Sequence, residues 1–161
     1  MHIRKARQAD LSTCMAIYRH AQWYMMNNGN PDQWGFVHPP EEMIEDEIEH
    51  GDLYVCENLG EVVGCFYFKM EDDPTYHKID GAWLNDRPYG VVHHIARAEN
   101  APGVGEFSLN WCYDQCHNLR IDTHEANQPM RYLLKRMGFT YTGIIWLRNG
   151  DERMAFQKTL D

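Results

Sequence analysis

Between Tyr89 and Cys116 the chain passes from a β-branched and aromatic run, through the turn Pro102-Gly103-Val104-Gly105, into a helical pattern of apolar residues. The same order follows again, with the apolar run Leu119–Thr123 and a helix that opens at Asn127. Strands that alternate with helices bury their apolar sides when helices cover the faces of one sheet. These segments therefore predict a mixed α/β sandwich.

The other segments extend this order to β α α β β β α β α β β. The predicted strands and helices of the N-terminal half are His2–Ala6, a helix after Asp10, a helix after Pro40, and the strands Asp52–Glu57 and Val62–Met70. At the C-terminus, Phe139–Leu147 and Arg153–Lys158 flank Asn149-Gly150, a strong hairpin signal. The stretch Tyr76–Pro88 has no clear period and receives no assignment. Gly138 predicts a left-handed end to the last helix.

Length and charge limit the classes of function. A chain of 161 residues fits one domain, which we expect to span residues 1–161. Lys and Arg number 15 against 24 Asp and Glu, so the formal net charge is −9, which disfavours nucleic-acid binding. We find no apolar run long enough to span a membrane and no apolar leader. The five cysteines are odd in number and scattered, which favours a reducing, cytoplasmic location.

The glycine turn before the third long helix is a candidate anion site. A helix N-terminus has N–H groups without intrahelical partners and a partial positive charge, and glycine lets a phosphate approach the backbone. The segment is not a P-loop, because no Gly-Lys-Ser/Thr follows, and Ser108 stands where a dinucleotide fingerprint has its third glycine. On spacing alone, the pattern favours the other interpretation, a glycine turn that enters a packed helix.

The glycine turn, the strand Leu119–Thr123 and the stretch from Asn127 to Gly138-Phe139 together resemble the GNAT superfamily of acyl-CoA N-acyltransferases. The resemblance extends over nearly the whole chain. It implies a three-layer α/β sandwich around a mixed, mostly antiparallel sheet whose two central parallel strands splay apart. It also implies acetyl-CoA as cosubstrate, held with its pantetheine arm between those strands.

The resemblance assigns the acetyl-CoA contacts by position. It implies that the backbone of one splayed strand binds the pantetheine arm, that the N–H groups of the glycine turn bind the pyrophosphate, and that an asparagine lies near the pantetheine. In this sequence the corresponding residues are Ile95, Ala96 and Arg97, then Gly103, Val104, Gly105, Glu106 and Phe107, and finally Asn127. Asn100 stands where the family has Gln or Arg. Leu134 stands where many members have a general-acid tyrosine, and Tyr132 lies about 200° away around the helix.

The implied reaction is direct transfer of an acetyl group from acetyl-CoA to a primary amine in a ternary complex. An alkyl ammonium group has a pKa of about 10.4 and must lose a proton before its nitrogen can attack, so a general base is needed. We considered His93, His94, Asp122 and His124, and select His93 and His124 as the candidate catalytic residues. In a regular strand His93 and His94 point to opposite faces. The N–H of Ile95 is a candidate donor to the developing oxyanion.

The acceptor is expected to be a small-molecule or peptide amine. Trp34 and Phe36, in the loop between the first two helices, are candidates for its pocket through cation–π contacts, with a core position as the alternative. The sequence leaves the oligomeric state open, with a homodimer as the commonest assembly.

Two other functions remain as alternatives. Leu134 in place of tyrosine is compatible with a non-catalytic module that binds or senses acyl-CoA. A hydrolase using a His/Cys metal site is the other, but Cys112 and Cys116 lack a CxxC pattern and read as buried helix residues. We therefore expect no metal.

Overall fold

One sheet of eight strands runs through the molecule in the computed structural model, which describes residues 1–160. The strands are β1 (His2–Lys5), β2 (Leu53–Asn58), β3 (Glu61–Met70), β4 (Asp80–Gly81), β5 (Gly90–Arg97), β6 (Asn118–Thr123), β7 (Thr140–Trp146) and β8 (Glu152–Thr159). Their order across the sheet is β1-β2-β3-β5-β6-β8-β7-β4. All neighbouring pairs are antiparallel except β5 and β6, which are parallel.

Four helices cover the two faces of this sheet: α1 (Leu11–Asn27), α2 (Glu41–His50), α3 (Val104–Cys116) and α4 (Gln128–Arg136). Alternate residues of a strand face opposite sides, and β3 shows this clearly. Cys65 packs in a core with residues of α1 and α2, whereas Phe66 packs in a second core with residues of α3 and α4. A third, smaller core around Tyr76 and Ile145 covers the C-terminal half of the sheet.

The central parallel strands are paired at one end only. Their register joins Gly90 to Leu119 and Val91 to Arg120, and no later pair is hydrogen-bonded among the described residues. Since β5 continues to Arg97 and β6 to Thr123, the two strands separate over the rest of their length. The predicted three-layer sandwich with splayed central strands is therefore confirmed.

Most predicted elements match the observed ones to within a few residues. The hairpin at Asn149-Gly150 is present, and Gly138 is left-handed with a φ of +84°. The unassigned stretch Tyr76–Pro88 contains the end of a short 3₁₀ turn, Pro74–Tyr76, and the two-residue strand β4, which pairs with β7. Such short pieces carry no hydrophobic period, which is why the sequence pattern did not reveal them. Within residues 1–160, no helix is both long and apolar enough to cross a membrane.

Candidate functional site

A cavity of about 340 Å³ opens where β5 leaves β6. Its walls are the second half of α1, the end of β5, the start of α3 and the exposed side of α4. Of the residues that the sequence assigned to acetyl-CoA, the cavity is lined by Ile95, Ala96, Arg97, Gly103, Gly105, Glu106 and Asn127. The fold thus brings three separate segments of the chain to one opening.

The start of α3 supplies main-chain donors to this cavity. Gly103 is its N-cap with a φ of +80°, a left-handed conformation that glycine adopts without strain. The first N–H groups of a helix have no intrahelical acceptor, so those of Val104, Gly105 and Glu106 are free of the helix ladder. Phe107 differs from expectation, because its N–H donates to the carbonyl of Gly103 at 3.0 Å. It is therefore already used, and Phe107 drops out of the donor set.

Within the start of α3, some residues pack into the core and others line the cavity. Val104 is buried and does not line the cavity, whereas Gly105 and Glu106 do. Two guanidinium groups, of Arg97 and Arg136, border the cavity and offset the acidic character of the chain there. Glu106 Oε1 lies 3.9 Å from Arg136 Nε and offsets part of its charge. The free N–H donors together with Arg97 are suited to a diphosphate.

Helix α4 presents Asn127 and Tyr132 to the cavity, and Leu134 to the core. Asn127 is the N-cap, and its Oδ1 accepts from the N–H of Met130 at 3.1 Å. Leu134 is fully buried and does not line the cavity. Tyr132 is 71% exposed and lines the cavity, although helix geometry alone separates it widely from Leu134.

A β-bulge in β5 places His93 and His94 on the same side of the sheet. The register with β3 passes from Cys65–Ala96 to Tyr67–His93, so β5 has one extra residue there, and His94 has a φ of +35°. The two imidazole rings are 6.4 Å apart and nearly parallel, and both lie near the ring of Tyr67. The expectation of opposite faces is therefore wrong, because a bulge breaks the alternation of side chains.

His93 is held by a carboxylate. Its Nε2–H donates to Asp73 Oδ2 at 2.8 Å, and Asp73 also accepts from the N–H and hydroxyl of Thr75. Burial lowers the pKa of His93, but the bond to Asp73 and the charges of Asp122 and Asp73 outweigh it, so the pKa is raised. Burial raises the pKa of Asp73, yet its hydrogen bonds from His93 and Thr75 prevail and lower it to about 2. This arrangement leaves Nδ1 as the basic nitrogen of a neutral His93.

His94 is paired with a carboxyl group of α2. Its Nε2 lies 2.7 Å from Glu47 Oε1, and both side chains are largely buried. Burial lowers the pKa of His94 to about 3 and raises that of Glu47 to about 8. Both shifts favour the neutral forms of the two groups, and in those forms the carboxyl O–H of Glu47 donates to the imidazole.

His124 lies apart from His93, on a second cavity of about 530 Å³. Its Nδ1 accepts from the N–H of Ala126 at 3.0 Å. The wall of this second cavity includes the carboxylates Asp32, Glu125, Asp151 and Glu152, with Arg153 as the one guanidinium. It is therefore an electronegative recess at the end of β6 and the β7–β8 hairpin.

The two aromatic residues proposed for the acceptor pocket border neither of these cavities. Trp34 is buried and packs edge-on against Tyr18 and His38, with ring centroids 6.0 Å apart in each case. Phe36 is 62% exposed on the surface. The structure therefore favours the core position for Trp34, which the sequence left open, and places Phe36 outside both of these cavities.

One group of potential metal ligands occurs among residues 1–160. One ligand atom from each of Glu71, Asp73 and His93 lies within 4.8 Å of the others. Hydrogen bonds already account for the set, because His93 donates to Asp73 and the hydroxyl of Tyr67 donates to Glu71 at 2.8 Å. The cysteines take no part in it, contrary to the His/Cys hydrolase alternative.

Sequence reasoning missed Asp73 and Glu47, which hold the two histidines, and Asn30, which lines the first cavity. Asp73 lies just before a proline in a loop and Glu47 in a run of charged helix residues, so neither has a local signal. Both act through contacts distant in sequence.

No family model matches the chain, and no curated protein matches it. Several solved structures, in contrast, are similar to the chain. An acetyltransferase of the GNAT family from Streptococcus agalactiae is 26% identical with a TM-score of 0.89, covering 99% of this chain and 95% of that one. A GNAT-family acetyltransferase from Listeria monocytogenes is 19% identical, with a TM-score of 0.70 and coverages of 99% and 94%. A GNAT superfamily phosphinothricin acetyltransferase from Sinorhizobium meliloti, in complex with acetyl-CoA, is 18% identical, with a TM-score of 0.66 and coverages of 99% and 88%.

Proposed function

Because the chain has the fold of the GNAT acetyltransferases, we propose that it transfers an acetyl group from acetyl-CoA directly to a primary amine in a ternary complex. The observation that carries the proposal is the divergence of β5 from β6 after only two residue pairs. That divergence opens a cavity whose wall combines an exposed strand end with the free N–H groups of a helix start. An extended ligand with an anionic group at one end fits such a wall.

The cavity supports acetyl-CoA binding in two parts. The N–H groups of residues 103–106, with Arg97, would bind the pyrophosphate. The main chain of Ile95 to Arg97 would bind the pantetheine arm as an added strand, since β6 is no longer paired with it there. Asn127 would lie beside that arm. Acetyl-CoA supplies an activated thioester, so the chain needs only to position the amine, accept its proton and stabilise the oxyanion.

His93 is our candidate for the general base, although it lines neither of the two cavities. Asp73 accepts from its Nε2–H, which orients the ring and leaves Nδ1 available for the proton of the ammonium group. The amine nitrogen then attacks the thioester carbon and the C–S bond breaks. The second proton of the attacking nitrogen passes through water to the thiolate, because Leu134 has no proton to donate. The bulge at His94 and Ile95 leaves main-chain groups outside the ladder, and the N–H of Ile95 is our donor to the oxyanion.

The acceptor is a cationic amine. The four carboxylates of the second cavity would attract an ammonium group toward the end of β6. The phosphinothricin acetyltransferase among the similar structures is named for a small amine substrate. We keep both small-molecule and peptide amines as candidates.

The alternative function is a module that binds acyl-CoA without catalysis, and the burial of Leu134 favours it. Release of CoA thiol from acetyl-CoA, measured with and without a panel of primary amines, separates the two functions. An amine-dependent release with a mass gain of one acetyl group on the amine supports the enzyme. Tight binding of acetyl-CoA without any acetylated amine would leave only the binding module.

The Gly105→Glu variant tests the site itself. An added Cβ would lie 3.2 Å from Leu133 Cδ2, and the carboxylate would enter the diphosphate position. We expect the affinity for CoA, measured by calorimetry, to fall at least ~100-fold, since a like charge replaces a favourable contact. Asn110→Glu, an exposed position further along α3, adds the same charge outside the cavity and is the control. Equal affinities in the two variants would contradict the site.

A further inference from the structure

Asn30 lies in the wall of the first cavity. Helix α1 ends at Asn27, Gly29 takes a left-handed φ of +80°, and the N–H of Asn30 then donates back to the carbonyl of Met25 at 3.0 Å. This helix ending turns the chain inward, so that Asn30 is only 3% exposed. A polar side chain buried to that degree needs partners for its polar atoms.

One backbone N–H determines the orientation of three side-chain amides. The N–H of Met130 can only donate, so the atom of Asn127 that faces it is Oδ1. The Nδ2 of Asn127 therefore faces Gln33 and donates to its Oε1 at 2.9 Å. Because Gln33 presents an oxygen, Asn30 must present its Nδ2 to the same atom, at 2.7 Å.

This chain of donors leaves Oδ1 as the remaining polar atom of Asn30. Oδ1 is buried and has no hydrogen-bond partner among residues 1–160. A buried acceptor without a donor costs free energy, and a ligand that brings an N–H to it removes that cost. Oδ1 has almost no accessible surface, so a ligand in the cavity supplies the donor only as the Asn30 side chain turns toward the cavity that it lines.

We propose that Asn30 Oδ1 turns to accept a hydrogen bond from an N–H group of the bound ligand, and that Asn30, Gln33 and Asn127 form an amide clamp beside the cavity. The inference rests on the proposed function, which supplies two ligands with N–H groups. One is the pantetheine arm of acetyl-CoA, through its amides. The other is the acceptor amine.

Two variants and one control test the clamp. Asn30→Leu keeps the approximate shape of the side chain and removes both its acceptor and its donor to Gln33. Asn30→Ala does the same with less bulk if the leucine variant does not fold. Asn27→Leu is the matched control, because Asn27 is exposed, donates only to the carbonyl of Trp23, and does not line the cavity. The probes are CoA, adenosine 3′,5′-diphosphate, which lacks the pantetheine amides, and the best amine from the acetylation panel.

Loss of one hydrogen bond predicts an effect of about 3- to 10-fold. If the pantetheine arm is the donor, the dissociation constant of CoA rises by that factor in Asn30→Leu, and that of adenosine 3′,5′-diphosphate does not change. If the acceptor amine is the donor, both dissociation constants stay constant and the KM of the amine rises at saturating acetyl-CoA.

Two results overturn the inference. One is an Asn30→Leu variant that matches Asn27→Leu with all three probes. The other is equal weakening of CoA and adenosine 3′,5′-diphosphate, which indicates only a general loss of structure. Failure of the unmodified protein to bind CoA is a different result, because it refutes the proposed function as well.

Discussion

Replacing Gly64 of β3 by alanine is expected to disturb the start of α3. Gly64 pairs with Arg97 in β5, and the side chain of Val104 covers the place where a Cβ would be. An added Cβ would overlap Val104 Cγ1 and lie 3.2 Å from the carbonyl oxygen of Ala96. Val104 is buried and β-branched, so its side chain has little freedom to rotate away.

The size of the effect follows from this overlap. Val104 would have to retreat by about 1 Å to restore a carbon–carbon separation of ~3.5 Å. Overpacking of that kind costs about 1–3 kcal/mol of unfolding free energy. Val104 is also the first residue of α3, so its retreat moves the neighbouring N–H groups. We expect the affinity for CoA to fall together with stability.

A double-mutant cycle makes the argument testable. Val104→Ala alone should cost roughly 2 kcal/mol through the methyl groups it removes. In that background Gly64→Ala has space for its Cβ and should cost almost nothing, so the two effects couple by about 1–3 kcal/mol. Urea unfolding of the four proteins gives the coupling, and calorimetry with CoA shows whether affinity recovers in the double variant. Additive effects, within about 0.5 kcal/mol, would refute the proposed contact.

Two further predictions concern ionisable groups near the bulge. The pKa of Glu47 in the folded protein is about 8, above its ordinary 4.5, so the fold holds a proton that the unfolded chain releases. Stability should therefore fall as pH rises toward 8, by roughly 2 kcal/mol between pH 6.5 and 8, and Glu47→Gln should flatten this dependence in thermal unfolding. Asp73 raises the pKa of His93, so Asp73→Asn should lower it and move the rising limb of kcat/KM toward lower pH. If the rising limb of kcat/KM keeps its position in Asp73→Asn, His93 is not the general base. If Glu47→Gln leaves the pH dependence of stability unchanged, the carboxyl of Glu47 does not hold a proton in the folded protein.

The fold was largely predictable because its elements have local signals. The helical period after Asp10, the Asn149-Gly150 turn and the left-handed Gly138 are each properties of a few neighbouring residues, and all three appear in the structure. The separation of β5 from β6 has no such signal. It entered the prediction only through the resemblance to a family.

The side chains around His93 were not predictable by the same means. A strand pattern places successive residues on opposite faces, and only the pairing with β3 shows that β5 contains an extra residue. The partners of the two histidines lie 20 and 47 positions away in sequence. Trp34 shows a related limit. The sequence around an aromatic residue in a loop is the same whether that residue lines a pocket or packs in a core.

The parts of the site share one physical origin, which is an interruption of regular hydrogen bonding. The strands separate after Val91, the ladder with β3 slips at His94, and α3 begins with N–H groups that no carbonyl of the helix can reach. Each interruption leaves polar main-chain groups that a regular sheet or helix would consume. Asn30 adds a side-chain example, since the end of α1 buries an oxygen with no donor. A ligand that carries both a diphosphate and amide groups offers partners to these positions together, which no separate anion or amine does.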